Sequence, residues 1–245
     1  MHYLIRIYNN YKLYGIFLTI NRIFFFIFIN LLSVLKNKKN LDEIHLKKNQ
    51  SLNYYFNFFN CDKGSKVYPP YHFSLSKQKF SNLGPMYEKY LNKFRKKKIS
   101  ILEIGVYRGK SMATFLKFFA KSKYYGIDTM SHLNEFTSKR SFLFEANSTK
   151  FHVRHFRNIK FDFIIDDGSH IKNEVIQNFK KFSNLLKKNG FYFIEDIDVA
   201  QYYNKSGENN YKNWMNKLKK NKKFKLKFYK NKINNNSVLI VAKNA

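Results

Sequence analysis

The sequence predicts an α/β fold, a doubly wound and mostly parallel seven-stranded sheet with an antiparallel C-terminal hairpin and a helical N-terminal extension. Three observations carry the prediction. From Ile99 onward, short apolar runs alternate with stretches of helical periodicity, the pattern of parallel strands joined by right-handed crossovers. Several of those runs end in an acid. The last two β-type stretches are joined by a short Asn-rich turn, and neighbours joined so tightly must run antiparallel.

The elements follow in order. Ile99–Gly105 reads as a buried strand ending in glycine, and Lys110–Ala120 as the helix after it. Lys123–Asp128 is the second strand, Ser141–Asn147 the third and Phe161–Asp166 the fourth. Val175, Phe179, Phe182 and Leu186 recur at helical spacing, with Gly190 placed as the helix stop. Phe191–Ile194 is the fifth strand, Tyr211–Lys219 a helix, and Phe224–Tyr229 with Ser237–Ala242 the closing pair.

Residues 1–60 are expected to form a hydrophobic and basic extension, and residues 61–245 the main domain. Leu13–Leu35 is mostly apolar and long enough to span a bilayer, yet it holds Asn21, Arg22 and Asn30. Three readings stay open for it: a helix lying in the membrane interface, a marginal signal anchor, or a helix packed on the domain or on a second subunit of a homo-oligomer. If it spans, the lysines after it would keep the main domain on the cytoplasmic side, at the inner face of the membrane. Residues 36–60 read as a connector.

Composition narrows the class. The 245 residues are 44% apolar, enough to build a core, which excludes a disordered chain. A single cysteine, Cys61, excludes an intrachain disulfide and a Cys-based zinc site, and fits a reducing compartment. Lys and Arg number 46 against 16 acids, a net charge of +30. Such a charge ordinarily points to nucleic acid. Here Lys, Asn, Ile, Phe and Tyr are raised together, including the neutral run Asn234, Asn235, Asn236. Those are residues of A- and T-rich codons, so base composition accounts for the charge without a polyanion partner.

In doubly wound sheets the ligand lies beyond the carboxyl ends of the strands. That rule gathers Glu103, Asp128, Asp166, Asp167, Glu195 and Asp196 onto one rim. The first loop, Glu103-Ile104-Gly105-Val106-Tyr107-Arg108-Gly109, lacks the glycine pattern of dinucleotide sites and carries an acid. It suits a cofactor without phosphates, and S-adenosylmethionine, with a cationic sulfonium and amino group, fits. Gly105 would let the backbone approach it, and Asp128 could accept hydrogen bonds from two ribose hydroxyls. Asp167, Glu195 and Asp196 follow adjacent strands, and three carboxylates so close would repel one another unless a divalent ion neutralised them. Mg2+ or Mn2+ suits an all-oxygen set. His170, three residues past Asp167, could then serve as general base. Helix capping at both turns, with His170 a surface residue, is the competing explanation.

The runs LEIGVYRGKS, GID, IIDDGSH and YFIEDI are similar to those of class I S-adenosylmethionine-dependent methyltransferases, and within them resemble the metal-dependent sugar O-methyltransferases of the macrocin and mycinamicin type. Asp62-Lys63-Gly64-Ser65, with Tyr68 and Tyr87 after it, resembles the opening of that family's domain. The resemblance implies a Rossmann-like methyltransferase fold and Mg2+ (or Mn2+) held by Asp167, Glu195 and Asp196. His170 would be the base, with Asp167 beside it. Cofactor contacts would come from Glu103, Gly105, Tyr107, Gly109, Asp128 and Asp166. Asn147 would join them from Glu145-Ala146-Asn147-Ser148, which replaces a Gly-Asp-Gln-type segment of the relatives. It further implies a saccharide-containing acceptor. The other histidines, among them His72, His152 and His155, lack metal-ligand spacing. A nucleic-acid-binding or -modifying protein on the same fold, and a membrane-associated scaffold without catalysis, are the alternatives.

Overall fold

The computed structural model describes residues 20, 24, 37–66, 81–197, 207–230 and 237–244. The apolar stretch 13–35, apart from the helical positions Ile20 and Phe24, lies outside the described residues, as do Tyr68 and His72. Among the described residues no helix is long and apolar enough to cross a membrane.

The strands are β1 (Lys39–Asn40), β2 (Ile99–Ile104), β3 (Ser122–Asp128), β4 (Phe136–Thr137), β5 (Ser141–Glu145), β6 (Phe161–Asp166), β7 (Leu186–Ile194), β8 (Phe224–Lys230) and β9 (Ser237–Lys243). The helices are α1 (Leu52–Phe58), α2 (Gly84–Leu91), α3 (Lys110–Phe118), α4 (Lys172–Phe182) and α5 (Gly207–Lys220). Seven strands form one sheet in the order β5-β3-β2-β6-β7-β9-β8. β5, β3, β2, β6 and β7 pair in parallel, while β9 pairs antiparallel with both β7 and β8. The predicted doubly wound sheet and its closing hairpin are both present. Order reverses at β2, which lies between β3 and β6, and this is where such sheets open a ligand crevice.

The alternation of side chains along each strand builds two cores. Ile101, Phe163, Phe193 and Ile240 face one layer with Tyr87 and Phe115, whereas Leu102, Ile164, Tyr192 and Leu239 face the other with Val175, Phe179 and Phe182. Both layers are dominated by edge-on and tilted aromatic contacts, such as Phe56 on Phe115 at 5.6 Å and Phe179 on Tyr192 at 5.0 Å.

Two elements differ from the sequence reading. The helix expected to run through Leu186 stops at Phe182, because Ser183–Leu185 tightens into a 3-10 turn and Leu186 opens β7. Gly190 is therefore a strand residue. A Cβ there would meet the carbonyl oxygen of Asp162 at 2.8 Å, so its lack of a side chain lets β7 close on β6 beside the register shift at Phe161 and Phe163. Second, residues 37–60, within the stretch 36–60 read as a connector, are built into the fold. β1 pairs in parallel with β4, and Asp42 accepts from Ser138 Oγ and Lys139 N at 2.8 Å each. Ser51 caps α1 through Tyr54 N, and Leu52, Tyr55, Phe56 and Phe59 enter the first core. The low polarity that marks a core helix is hidden here by interleaved asparagines, so periodicity alone did not reveal it.

Candidate active site

The loops beyond β2, β6 and β7 are joined by backbone hydrogen bonds that carry the ladder one step past each strand. Gly105 N donates to Ile127 O, Asp167 N to Ile104 O and Glu195 N to Asp166 O, at 2.9, 2.9 and 3.0 Å. The expected site residues thus stand in a row along the carboxyl edge. The pleat then divides them between faces.

Asp167, His170 and Asp196 come together at this edge. One ligand atom from each lies within 4.8 Å of the others, and His170 Nε2 stands 3.8 Å from Asp167 Oδ1. All three are half-buried. Burial, and next to it the Asp167 charge, push the Asp196 carboxyl up to about 6.

Glu195 points toward the first core, 3% exposed. Its Oε1 accepts from the Tyr87 hydroxyl at 2.5 Å, and its Oε2 from Lys63 Nζ at 2.9 Å. Lys63 also donates to Asp167 Oδ2 at 2.5 Å. Sequence reasoning noticed Lys63 and Tyr87 only as parts of a resemblance and gave neither a role. The signal was a lysine followed by glycine ahead of the domain, and nothing in its spacing tells that it folds back over the sheet.

Glu103 is also on the first-core face. It is fully buried, and its Oε2 accepts from the hydroxyls of Tyr124 and of Ser111, the latter at 2.7 Å. Its Oε1 has no hydrogen-bond partner among the described residues. Burial pushes the carboxyl up to about 7, against the opposing attraction of Lys63. Asp166 points the other way, to the layer beneath α4, where Tyr192 and Asn178 contact it and burial raises it to about 7. The two acids at the ends of neighbouring strands therefore lie on opposite sides of the sheet.

Asp128 closes the next loop. Its two oxygens accept from Tyr107 N and Met130 N at 2.7 Å each, leaving further lone pairs for a ligand. Gly109 holds the left-handed turn ahead of α3. Gly105 has φ +88, and a Cβ on it would lie 2.1 Å from the carbonyl oxygen of Asp167. What approaches this glycine most closely is the loop after β6, a reason different from the cofactor approach that the sequence suggested. Asn147 uses its Oδ1 to accept from Thr149 N and Oγ1 at 2.9 and 2.7 Å, closing the turn after β5.

Backbone strain marks the same edge. Eight described non-glycine residues have positive φ, and five of them are asparagines, which tolerate that region. The other three are Tyr107, His170 and Asp196, at +48°, +57° and +50°; histidine and aspartate share part of the asparagines' tolerance, and tyrosine does not. Each costs free energy that the surrounding fold must offset, and such residues concentrate at functional sites.

The donor set suits an oxygen-seeking divalent ion: two carboxylates with an imidazole beside them, and a third carboxylate one residue away. The orphaned Oε1 of Glu103 and the spare lone pairs of Asp128 suit a ligand carrying both a cationic amine and hydroxyls.

A family model described as a methyltransferase domain matches residues 102–197, from β2 to the loop after β7. In sequence, the chain is 32% identical over 128 residues to the mycinamicin VI 2''-O-methyltransferase of Micromonospora griseorubida, covering 48% of this chain and 32% of that one. It is 28% identical over 131 residues to the demethylmacrocin O-methyltransferase of Streptomyces fradiae, with the same coverage. The chain thus spans about a third of the length of these curated relatives. In structure it resembles the MycE methyltransferase of the mycinamycin biosynthetic pathway, solved in complex with Mg, SAH and mycinamycin VI. That likeness has a TM-score of 0.61 at 23% identity, over 80% of this chain and 55% of the other. Residues 102–197 are accordingly similar to a methyltransferase domain, and the sheet that carries them shares the fold of the MycE methyltransferase.

Proposed function

We propose that the chain is an S-adenosylmethionine- and Mg2+-dependent O-methyltransferase acting on a hydroxyl of a saccharide. The observation that carries this reading is the convergence of Asp167, His170 and Asp196 at the carboxyl edge, two of them held at strained φ. The names of the two curated relatives, both O-methyltransferases, support methyl transfer to a hydroxyl, and a third relative, 25% identical over 125 residues, is named a 2'-O-methyltransferase of a rhamnosyl compound. The buried, free Cys61 accords with a reducing, cytoplasmic setting.

When bound, S-adenosylmethionine supplies the methyl and Mg2+ supplies Lewis acidity at the acceptor oxygen. Asp167 and Asp196 would hold the ion, and Glu195, which lies outside the group formed by Asp167, His170 and Asp196, would add the lone pairs that Lys63 and Tyr87 leave open. Asp128 would take the ribose hydroxyls, and Glu103 Oε1 would accept from the cofactor's ammonium. His170 would take the proton from an acceptor hydroxyl, and Asp167 Oδ1, facing it, would stabilise the imidazolium that results. Displacement in line requires both partners to be held, so positioning supplies much of the rate.

The test is transfer of a labelled methyl from S-adenosylmethionine to glycosylated acceptors. Activity is expected to vanish with EDTA and return with Mg2+. Full activity of an Asp167→Ala, Glu195→Ala double variant would sink the metal's role, and absence of S-adenosylmethionine binding by calorimetry would sink the enzyme.

A further inference from the structure

The loop that carries Lys63 is built with unusual care. Cys61 N donates to Phe56 O, and Gly64 N to Cys61 O, at 2.8 and 3.0 Å. Leu83 N and Gly84 N both donate to Lys63 O, at 2.9 and 3.1 Å, and Asn82 N donates to Gly64 O at 2.9 Å. The lysine's backbone is therefore clamped between the end of α1 and the start of α2. Gly64 packs against Asn57, whose Oδ1 in turn accepts from Ser65 N and Lys66 N at 2.9 and 3.0 Å. From this platform the side chain runs inward, 3% exposed, and its ammonium ends between Asp167 and Glu195.

Each oxygen around that ammonium has a separate task. Asp167 Oδ2 is taken by Lys63, so Oδ1 is left facing His170. Glu195 Oε2 is taken by Lys63 and Oε1 by Tyr87. One carboxylate is thus fixed in rotation by one contact and a second by two. Burial costs the ammonium its hydration, but Asp167 and Glu195 more than offset this and hold its pKa well above the ordinary value. An aliphatic side chain in its place would leave the two carboxylates without a counter-charge and free to repel one another.

We propose that Lys63 is a positioning residue for the divalent-ion site: its ammonium, shared by Asp167 and Glu195, sets the orientation in which these carboxylates meet the ion. This rests on the reading of the edge as a metal-dependent methyl-transfer site. Lys63 acts through the two acids that it joins. Without it they are free to turn and repel one another. Partners that orient metal ligands from behind are worth about 10–100-fold in metal affinity. Of the proposed cofactor contacts, Glu103 feels the Lys63 charge, so cofactor affinity is expected to change, though by much less than metal affinity.

The experiment measures Mn2+ affinity by electron paramagnetic resonance and S-adenosylmethionine affinity by calorimetry, on the full chain. Lys63→Met is expected to lose at least tenfold in Mn2+ affinity and several-fold less in S-adenosylmethionine affinity. Lys63→Gln, which keeps hydrogen-bond donors but no charge, is expected to fall in the same direction and serves where the methionine variant does not fold. A folded variant of either kind that binds Mn2+ within twofold of the unaltered chain overturns the role of Lys63 alone. So does a parallel loss of both affinities, the signature of a merely structural residue. Failure of the unaltered chain to bind Mn2+ overturns the metal reading and this role with it.

Discussion

Gly105 and Asp167 touch backbone to backbone: the space that a Cβ on Gly105 would need is filled by the carbonyl oxygen of Asp167, 2.1 Å away. The contact joins the loop expected to hold the cofactor to the loop that presents Asp167 and His170. Gly105→Ala is expected to destabilise the fold by about 2 kcal/mol or more, since a left-handed φ alone costs an L-residue about 1–2 kcal/mol and the clash adds to it. Denaturant unfolding checks this. A midpoint equal to the parent's would mean that the two loops separate freely.

The Tyr87 hydroxyl is the second support of Glu195. Tyr87→Phe keeps the ring contacts with Phe56, Phe115 and Phe193 and removes only the donor to Oε1. The expected cost is about 1–3 kcal/mol, because a buried carboxylate oxygen is left without its partner. Mn2+ affinity is expected to fall less than in the Lys63 variants, because Lys63 still fixes Oε2. A loss in Tyr87→Phe larger than in Lys63→Met would reverse the order of importance argued above.

Much of this edge could be read in the sequence, and its limits have a physical cause. Apolar runs ending in acids locate Asp128, Asp167, Glu195 and Asp196 at strand ends, because parallel strands place their carboxyl ends together. Which way each acid points depends on the two-residue pleat and on register. That is why Glu103 and Glu195 fall on one face and Asp166 on the other. Lys63 and Tyr87 were illegible for another reason. Their link to Glu195 spans 132 and 108 residues, and no local pattern encodes a contact of that range. Residues 37–60 look like a connector because their aromatics are spaced among asparagines, and the helix looks longer than it is because Leu186 continues the helical spacing past Phe182 by coincidence.

Lys181 gives the turn after β5 a support that lies far away in sequence. Its Nζ donates to the carbonyls of Ser148, Thr149 and Phe151, at 3.0, 2.5 and 3.1 Å. The anchor comes from α4, on the same face as Phe151 and Phe182. Lys181→Met is expected to leave those carbonyls to water and raise amide exchange across residues 147–151, with a cost of about 1–2 kcal/mol. Hydrogen exchange read by mass spectrometry checks it. Unchanged protection in that segment would show that the turn holds itself through Asn147.

Glu103 makes stability depend on pH with a defined sign. Burial, opposed by Lys63 and by the hydroxyls of Tyr124 and Ser111, places its carboxyl at about 7 in the folded chain against an ordinary 4.5. The folded state therefore holds this proton more tightly than the unfolded chain does. Between those two values unfolding releases a proton, so stability falls as pH rises. The contribution is fully present below about 4.5 and is gone above about 7. Glu103→Gln removes the titration while keeping an oxygen for Tyr124 and Ser111. Relative to the parent, the variant is expected to gain about 2 kcal/mol on going from pH 5 to pH 8. Asp166 titrates in both proteins and cancels in the difference. Unfolding curves at several pH values measure that difference directly, and a gap that stays constant across the range would mean that Glu103 is ionised in the fold throughout.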